Sequence, residues 1–364
     1  MKGTKKPYWQ VILPFINSRT KAVIQTNPTI TPVREDAPTI DITIFDYDAT
    51  QIAKTSCTKV ADCLPYQNNG KVTWMNMDGI RKQDVEWLCN QFGIHALIQE
   101  DILSISQRPK MDEINDVLFC LLNILYFNNE TGAVEQEQIS LVLGKDFVLS
   151  IQEDATRDVF DGLRERLQLT SSKMRQTQAD YLFYALLDTI VDHYFLVLEK
   201  IGERIEALEE NIIRYANNMT LGRINALRKE MIVLKRNIGP VRELINSIMR
   251  TESILIEERT FKYFKDIQDH ITQANELADN LRDMIGNLHD LYLSKINLRL
   301  NEVMKVMAIV TCLLAPATVI GGVFGMNFDV IPYAHQAWGF YLAVTCMFII
   351  PVGMIWIFKK RGWF

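Results

Sequence analysis

Residues 315–328 read APATVIGGVFGMNF, and this stretch closes a run from Val306 to Phe324 that contains no Asp, Glu, Lys, Arg or His. A second run of the same kind extends from Trp338 to Phe358. Each has about the ~20 apolar residues that an α-helix needs to cross the hydrocarbon core of a bilayer. The loop between them, Gly325–Ala337, has no Lys or Arg, whereas Lys305 precedes the first run and Lys359, Lys360 and Arg361 follow the second. Basic flanks stay on the cytoplasmic side. The pattern therefore predicts a hairpin of two spans that leaves the cell and returns, with both termini cytoplasmic. Gly325, Met326 and Asn327 then sit at its outer mouth, and the protein is expected to be a multi-pass protein of the cell (inner) membrane.

Composition alone conceals this. The 364 residues are 48% hydrophobic with a mean hydropathy near zero, because a large polar part dilutes the hairpin. A net charge of −5 and the lack of any basic cluster before the C-terminal Lys359-Lys360-Arg361 argue against a nucleic-acid partner. That cluster reads as an anchor at the membrane face. The opening MKGTKKPYWQVILPF has no uninterrupted apolar core, so a secretory signal is not expected. The six cysteines lie at 57, 63, 89, 120, 312 and 346 without metal-ligand spacing; Cys57 and Cys63 are close enough in sequence to pair, but in a cytoplasmic domain free thiols are expected. No nucleophile–base pair, glycine-rich phosphate loop or metal-ligand cluster stands out, which argues against an enzyme.

Upstream of the hairpin the chain reads as α/β and then as helix. Ile42–Tyr47 and Val72–Met77 are β-rich, and the polar stretch between them, with Pro65, Asn68, Asn69 and Gly70, reads as loop. Helices are predicted over Arg81–Phe92 and from His95 to before Pro109. Val117–Phe127, Gln138–Leu143 and Asp146–Gln152 read as neighbouring strands, the last two joined at Gly144-Lys145. Thr156–Leu169 reads as one helix. Gln178–Tyr215 and Leu221–Ile238 read as a helical hairpin, acidic at its far end on the first arm and basic on the second. Those charges read first as a solvated face, and alternatively as an acidic surface that gathers cations.

From Val241 to Ala315 there is no proline and only one glycine, Gly286. An apolar stripe through Phe264, Ile267, Ile271, Ala274, Ala278, Leu281, Ile285 and Leu288 runs without a break into the first span. A helix over residues 258–324 is roughly 100 Å long at ~1.5 Å per residue, and such a rod needs partners along its stripe. A single transmembrane hairpin cannot enclose a pore. A homo-oligomer with the rods around one axis satisfies both demands.

In that arrangement one face of the rod looks inward. Steps of three and four from Asn301 reach Met304, Ala308, Thr311, Ala315, Thr318 and Gly322, with Met307 alongside. Small residues on a membrane helix also permit close packing. The pore reading gains from the neutral oxygen donors Asn301 and Asn327 at the two ends and from the absence of charge within the spans. An uncharged path suits a cation that keeps its hydration shell, as the reluctantly dehydrated Mg²⁺ does.

Gly325-Met326-Asn327 followed by Phe328 resembles the GMN signature of the CorA-type divalent-cation channels. NEVMKVMAIVTCLLAPATVIGGVFGMNF, the ending FKKRGWF, YFKDIQDH (263–270), QEDILSISQRPK (99–110) and ADYLFYALLDTIVDHYF (179–195) extend the resemblance from about residue 85 to the end. It implies a homopentamer with a cytoplasmic α/β/α funnel and helical hairpin (1–250) and a stalk helix (251–305). A pore-lining span (306–324), an outer loop (325–337), a second span (338–358) and a basic tail (359–364) follow. The fold class is thus an α+β membrane protein whose stalk helix continues into the first of two C-terminal spans. By the same resemblance, Gly325, Met326 and Asn327 form the selectivity filter. Asn301, Met304, Met307 and Thr318 line the pore, joined by Thr311 and Ala315 from the helical stepping, and the methionines act as a hydrophobic constriction. Asp101 and Asp266, with Glu100 and Asp188, bind a regulatory Mg²⁺ between subunits that holds the pore shut. The implied function is passive, Mg²⁺-gated Mg²⁺ transport, extending to Co²⁺ or Ni²⁺. The alternatives are a Zn²⁺ transporter of the same superfamily and a membrane-tethered scaffold or sensor. Two features depart from the family pattern. The outer loop reads Ile331-Pro332-Tyr333-Ala334, leaving Asp329 as its only carboxylate, and Ala315 stands where a bulkier residue is common.

Overall fold

The computed structural model describes residues 34–364, apart from residues 106, 155–156, 327–330, 332–335 and 364. Asn327 and Asp329, to which the sequence assigns roles at the outer mouth, lie outside the described residues, as do Pro332, Tyr333 and Ala334. The described chain forms two compact units. One comprises the residues up to Leu208 together with Gly222–Gly286, and the other comprises Glu209–Leu221 and Asn287–Phe364.

The first unit is built on a seven-stranded sheet of order β2-β1-β3-β7-β6-β5-β4. Its strands are β1 (Asp41–Tyr47), β2 (Ile52–Cys57), β3 (Val72–Asp78), β4 (Lys110–Ile114), β5 (Val117–Phe127), β6 (Val134–Leu143) and β7 (Phe147–Gln152). All neighbours are antiparallel except β3 and β7, which run parallel. Alternation along the strands feeds two faces. Ile42, Ile44, Met75, Met77, Phe119, Leu121, Leu149 and Ile151 pack against Val85, Leu88, Ile98 and Ile102 of helices α1 (Lys82–Gln91) and α2 (Ala96–Leu103). Phe45 and Trp74 point the other way, where Trp74 meets Phe160 edge-on at the start of α3 (Asp161–Gln168).

Two strands escape the sequence reading, which takes the stretch before Val72 as loop. Strand β2 is an edge strand whose central Lys54, Thr55 and Ser56 carry no hydrophobic pattern; it forms because β1 offers it a full register of partners. Strand β4 is joined to β5 by Asn115 and Asp116, both at positive φ (53° and 58°), a pairing typical of tight hairpin turns. The sheet thus has four more strands than the three neighbouring ones read after residue 116, two of which were already evident in β1 and β3.

Three long helices complete the description. They are α4 (Ala179–Arg214), α5 (Asn218–Arg250) and α6 (Glu258–Phe324). In the first unit, Leu186, Ile190 and Ile201 of α4, Val233, Leu234 and Ile238 of α5, and Phe264, Ile267, Ile271 and Ala274 of α6 are all buried. Helix α4 is long and apolar enough to cross a membrane, yet 61% of its most apolar window is buried by the rest of the chain. Its hydrophobicity therefore belongs to a protein core. Several helix limits differ from expectation, the first being that α2 stops at Leu103, short of Ile105, where Ser104 turns extended and its hydroxyl donates to the Glu100 carbonyl. Residues 158–160 are not helical, and α3 starts only at Asp161, where Phe160 is drawn into the core beside Trp74 and Asp158 accepts the Phe160 N–H. Helix α5 continues through Gly239-Pro240 to Arg250. Proline removes one helical hydrogen bond, but burial of Ile238, Val241, Leu244 and Ile245 holds the helix across the break. Helix α6 runs from Glu258 to Phe324, as the apolar stripe places it, but the stalk does not start at 251, because residues 251–257 break the helix although they contain neither proline nor glycine.

The second unit contains the C-terminal part of α6 and helix α7 (Ala337–Lys360). Their most apolar windows have a mean hydropathy of 2.2 each and are 6% and 0% buried within the chain. Apolar helical surface with no protein cover, satisfied internally in its backbone hydrogen bonds, is the form that a lipid environment accepts.

Candidate functional site

Helix α7 settles how the apolar part of α6 is oriented. Ile309 is buried at 6% exposure, and Leu313, Pro316 and Ile320 are half-buried. A Cβ built on Gly321 would lie 3.6 Å from Met347 Cε of α7. A shallow cavity of about 410 Å³ between the two helices is lined by Cys312, Ala315, Pro316, Val319 and Ile320 with Ile350 and Met354. At ~100° per residue, the side holding Ile309, Leu313, Pro316 and Ile320 lies about 145° from the mean direction of Asn301, Met304, Thr311, Ala315 and Thr318. Asn301, Met304, Met307, Thr311, Ala315 and Thr318 are all exposed, the two methionines at 69% and 65%. Ala315 lies near the centre of that face by the same count and also lines the cavity with Cys312 and Val319, so the cavity opens onto this face.

The hydroxyls on the uncovered face are oriented by their own helix. Thr311 Oγ1 donates to the Met307 carbonyl at 2.9 Å, and Thr318 Oγ1 donates to the Leu314 carbonyl at 3.0 Å. Each hydroxyl has spent its single hydrogen, so only lone pairs remain to face outward. Such oxygens accept hydrogen bonds from the water shell of a cation. The methionines one and two turns earlier offer no strong polar atom and form an apolar step before the hydroxyls.

At the end of α6, Gly325 N–H continues the helical pattern to the Gly321 carbonyl at 3.0 Å. A Cβ on Gly325 would stand 3.0 Å from that same oxygen, closer than ordinary packing permits. The small residue lets the last turn close before the chain leaves the helix at Met326, which is half exposed. Aromatic residues mark both ends of α7, with Trp338, Phe340 and Tyr341 exposed at one end and Trp356 and Trp363 at the other. Lys359 and Lys360 occupy its last turn. Aromatic girdles with a basic end are the usual signature of the two bilayer interfaces.

The acidic residues assigned a regulatory role are dispersed within the first unit. Asp101, on α2, is ion-paired to Lys110 at 2.6 Å, and Lys110 also reaches Asp112 at 3.2 Å. Burial works against the Lys110 charge, but the bonds to Asp101 and Asp112 raise its pKa above the ordinary lysine value. Glu100, beside Asp101, is exposed. The charge of Asp266 on α6 is felt by Asp188 on α4, whereas Asp101 is engaged by Lys110. The Asp188 carboxyl is pushed upward, first by burial and then by the charges of Asp192 and Asp266, against the hydrogen bond from Tyr184 Oη at 3.3 Å.

The structure adds Asp192 and His270 to this group. His270 Nδ1 is 3.6 Å from Asp192 Oδ1 and 3.9 Å from Asp188 Oδ1. The i,i+4 spacing of Asp188 and Asp192 in LLDTIVDHYF was a readable signal for two carboxylates on one helix face. The approach of His270, nearly eighty positions later in sequence, was not.

Comparison with known proteins follows the same lines. Residues 69–360 match the model of the CorA-like Mg²⁺ transporter protein family. The chain is 37% identical over 331 residues to the cobalt/magnesium transport protein CorA of Thermotoga maritima, covering 91% of this chain and 93% of that protein. It is 21% identical over 301 residues to the zinc transport protein ZntB of Yersinia pseudotuberculosis, covering 80% and 87% respectively. Its fold is similar to the complete structure of the CorA magnesium transporter from Methanocaldococcus jannaschii, with a TM-score of 0.72 and 20% identity over 92% of this chain and all of that one. The chain therefore belongs to the CorA-like Mg²⁺ transporter family, whose members are membrane transporters of divalent cations and not enzymes.

Proposed function

We propose that the chain is one subunit of a homopentameric channel that passes Mg²⁺ into the cell along the membrane potential, with Co²⁺ or Ni²⁺ as further ions, and that cytoplasmic Mg²⁺ closes it. The observation that carries this reading is the face of α6 bearing Asn301, Met304, Met307, Thr311 and Thr318. It is uncharged, it presents oriented hydroxyl oxygens, and it lies away from the side that α7 occupies. Around a common axis, five such faces form a path that a hydrated cation can follow without meeting a fixed charge. Asn327, with Gly325 and Met326, then forms the outer filter, and both termini lie in the cytoplasm together with residues 1–305. The spans are 306–324 and 338–358, joined by the loop 325–337 and followed by the tail 359–364.

For closure, Asp101 and Asp266 of adjacent subunits share a regulatory Mg²⁺, with Glu100 and Asp188 nearby. Lys110 already neutralises Asp101 within the chain, so the ion competes with that ammonium and holds the interface only when Mg²⁺ is plentiful. The test is flux into proteoliposomes loaded with a Mg²⁺-sensitive dye. Wild-type protein is expected to admit Mg²⁺ under a negative-inside potential. Asn327→Leu is expected to reduce the rate by at least about tenfold, the loss corresponding to ~1.4 kcal/mol of ion stabilisation. Zn²⁺ flux without Mg²⁺ flux would instead support the zinc reading suggested by the ZntB relative, and no flux of either ion would support a scaffold.

A further inference from the structure

Asp188 and Asp192 stand one turn apart on α4, and His270 of α6 lies across from both. Among the described residues this is the one group of three metal-ligating side chains whose donor atoms lie within 4.8 Å of one another. Its contacts are unusual for an ion pair. The separations of 3.6 and 3.9 Å from His270 Nδ1 are too long for hydrogen bonds. Asp188 Oδ1 and His270 Nδ1 are themselves sealed from solvent, yet neither has a hydrogen-bond partner. The other Asp188 oxygen accepts from Tyr184 Oη, which fixes the carboxylate so that Oδ1 is turned toward the imidazole. Phe195 stands edge-on to the His270 ring at 6.5 Å.

Two buried polar atoms left unpaired cost free energy unless something joins them. The spacing says what fits. Ligands at ~2.0–2.1 Å from a metal ion are about 3.4 Å apart at a tetrahedral angle and farther apart at wider angles. The observed separations fall in that range. Asp192 is exposed, and its carboxylate already lies within 4.8 Å of both other donor atoms.

We infer that Asp188, Asp192 and His270 form a divalent-metal site within a single chain, selective for a transition ion of the Co²⁺, Ni²⁺ or Zn²⁺ class over Mg²⁺. An imidazole nitrogen suits those ions, whereas Mg²⁺ prefers oxygen ligands and retains its waters. The site ties α4 to α6, so its occupancy couples a transition metal to the position of the helix that continues into the membrane. It shares Asp188 with the proposed regulatory set and in that respect rests on that reading, but its ligands Asp192 and His270 belong to it alone.

The experiment uses the purified full-length protein in detergent with saturating Mg²⁺, which fills oxygen-only sites, and titrates Co²⁺ while following its visible absorption. Wild-type protein is expected to develop the spectrum of nitrogen-ligated Co²⁺. His270→Gln and Asp192→Asn are each expected to weaken that binding by at least about tenfold, as loss of even an outer-shell partner commonly does. His289→Gln is expected to leave it unchanged. Both ligand variants are expected to unfold at the wild-type temperature in metal-free buffer. Should His270→Gln misfold, Asp192→Asn, altered at an exposed position, decides the matter. Wild-type-like Co²⁺ binding in the folded ligand variants, or complete displacement of Co²⁺ by Mg²⁺, would overturn the inference. Failure of the Asp101 and Asp266 variants to alter Mg²⁺-dependent protease protection would remove the regulatory reading and leave this signal intact.

Discussion

Glu137 illustrates how single residues are tuned here by partners rather than by position in the sequence. Its carboxylate is buried on β6, where Oε1 accepts the N–H groups of Glu153 and Asp154 at 3.0 and 2.8 Å and Oε2 accepts from Tyr126 at 3.2 Å. Burial outweighs these bonds and raises its pKa to about 7. The Tyr126 hydroxyl has one hydrogen and two acceptors, Glu137 and the Arg157 carbonyl, so a protonated Glu137 relieves the competition by donating in return. A carboxyl raised above its unfolded value near 4.5 stabilises the fold most fully below that value. The contribution fades as pH rises through about 7. The melting temperature of the full-length protein in detergent is therefore expected to fall between pH 5.5 and pH 8. In Glu137→Gln that fall is expected to be smaller, because the amide oxygen still accepts hydrogen bonds and no charge must be buried. An identical pH trend in the variant would exclude Glu137 as its source. At the same scale, the hydrogen bond from Tyr184 positions Asp188 without Tyr184 itself being a ligand.

At the scale of elements, α6 combines two environments in 67 continuous residues. Its first part buries Phe264, Ile267, Ile271, Ala274 and Ala278 on one stripe, whereas its last part exposes apolar side chains nearly all round. A stripe implies a protein partner on one side, and general exposure of apolar surface implies lipid or further subunits. The hydroxyls of Thr311 and Thr318 separate these possibilities for one face. Replacing both by Val keeps shape and helix while removing the outward lone pairs. The double variant is expected to assemble normally but to conduct Mg²⁺ several-fold more slowly in proteoliposomes. Unaltered conduction would mean that this face packs against protein and does not meet the ion.

For the whole molecule, the prediction concerns assembly and its control by Mg²⁺. The proposed pentamer is expected to have five times the monomer mass of 42.0 kDa after correction for detergent. Removal of Mg²⁺ by a chelator is expected to expose the cytoplasmic part to protease, because carboxylates that share an ion repel once it has gone. Asp101→Asn together with Asp266→Asn is expected to weaken this Mg²⁺-dependent protection. Protection that tracks Mg²⁺ equally in the variant would assign gating to other residues. Relatives named for magnesium and cobalt on one hand and for zinc on the other match this sequence over most of its length. Fold alone therefore does not select the ion.

The membrane hairpin and the long helix were legible in the amino-acid order. Hydropathy, flanking charge and the apolar stripe are local properties, and α6 follows the stripe to Phe324, whereas the interruption over 251–257 carried no breaker to announce it. The stripe Asn301, Met304, Thr311, Thr318 was likewise readable as a helical face. Only the tertiary structure decided that α7 lies on the opposite side of α6, that the polar segment Ile52–Cys57 is a strand, and that α5 passes through Pro240. It alone brought His270 to Asp188 and Asp192. These outcomes depend on partners distant in the chain: β1 supplies the hydrogen bonds of β2, core burial outweighs the loss at Pro240, and ligand convergence requires two helices to pack. Period and composition record what a segment prefers, whereas these features depend on what each segment meets.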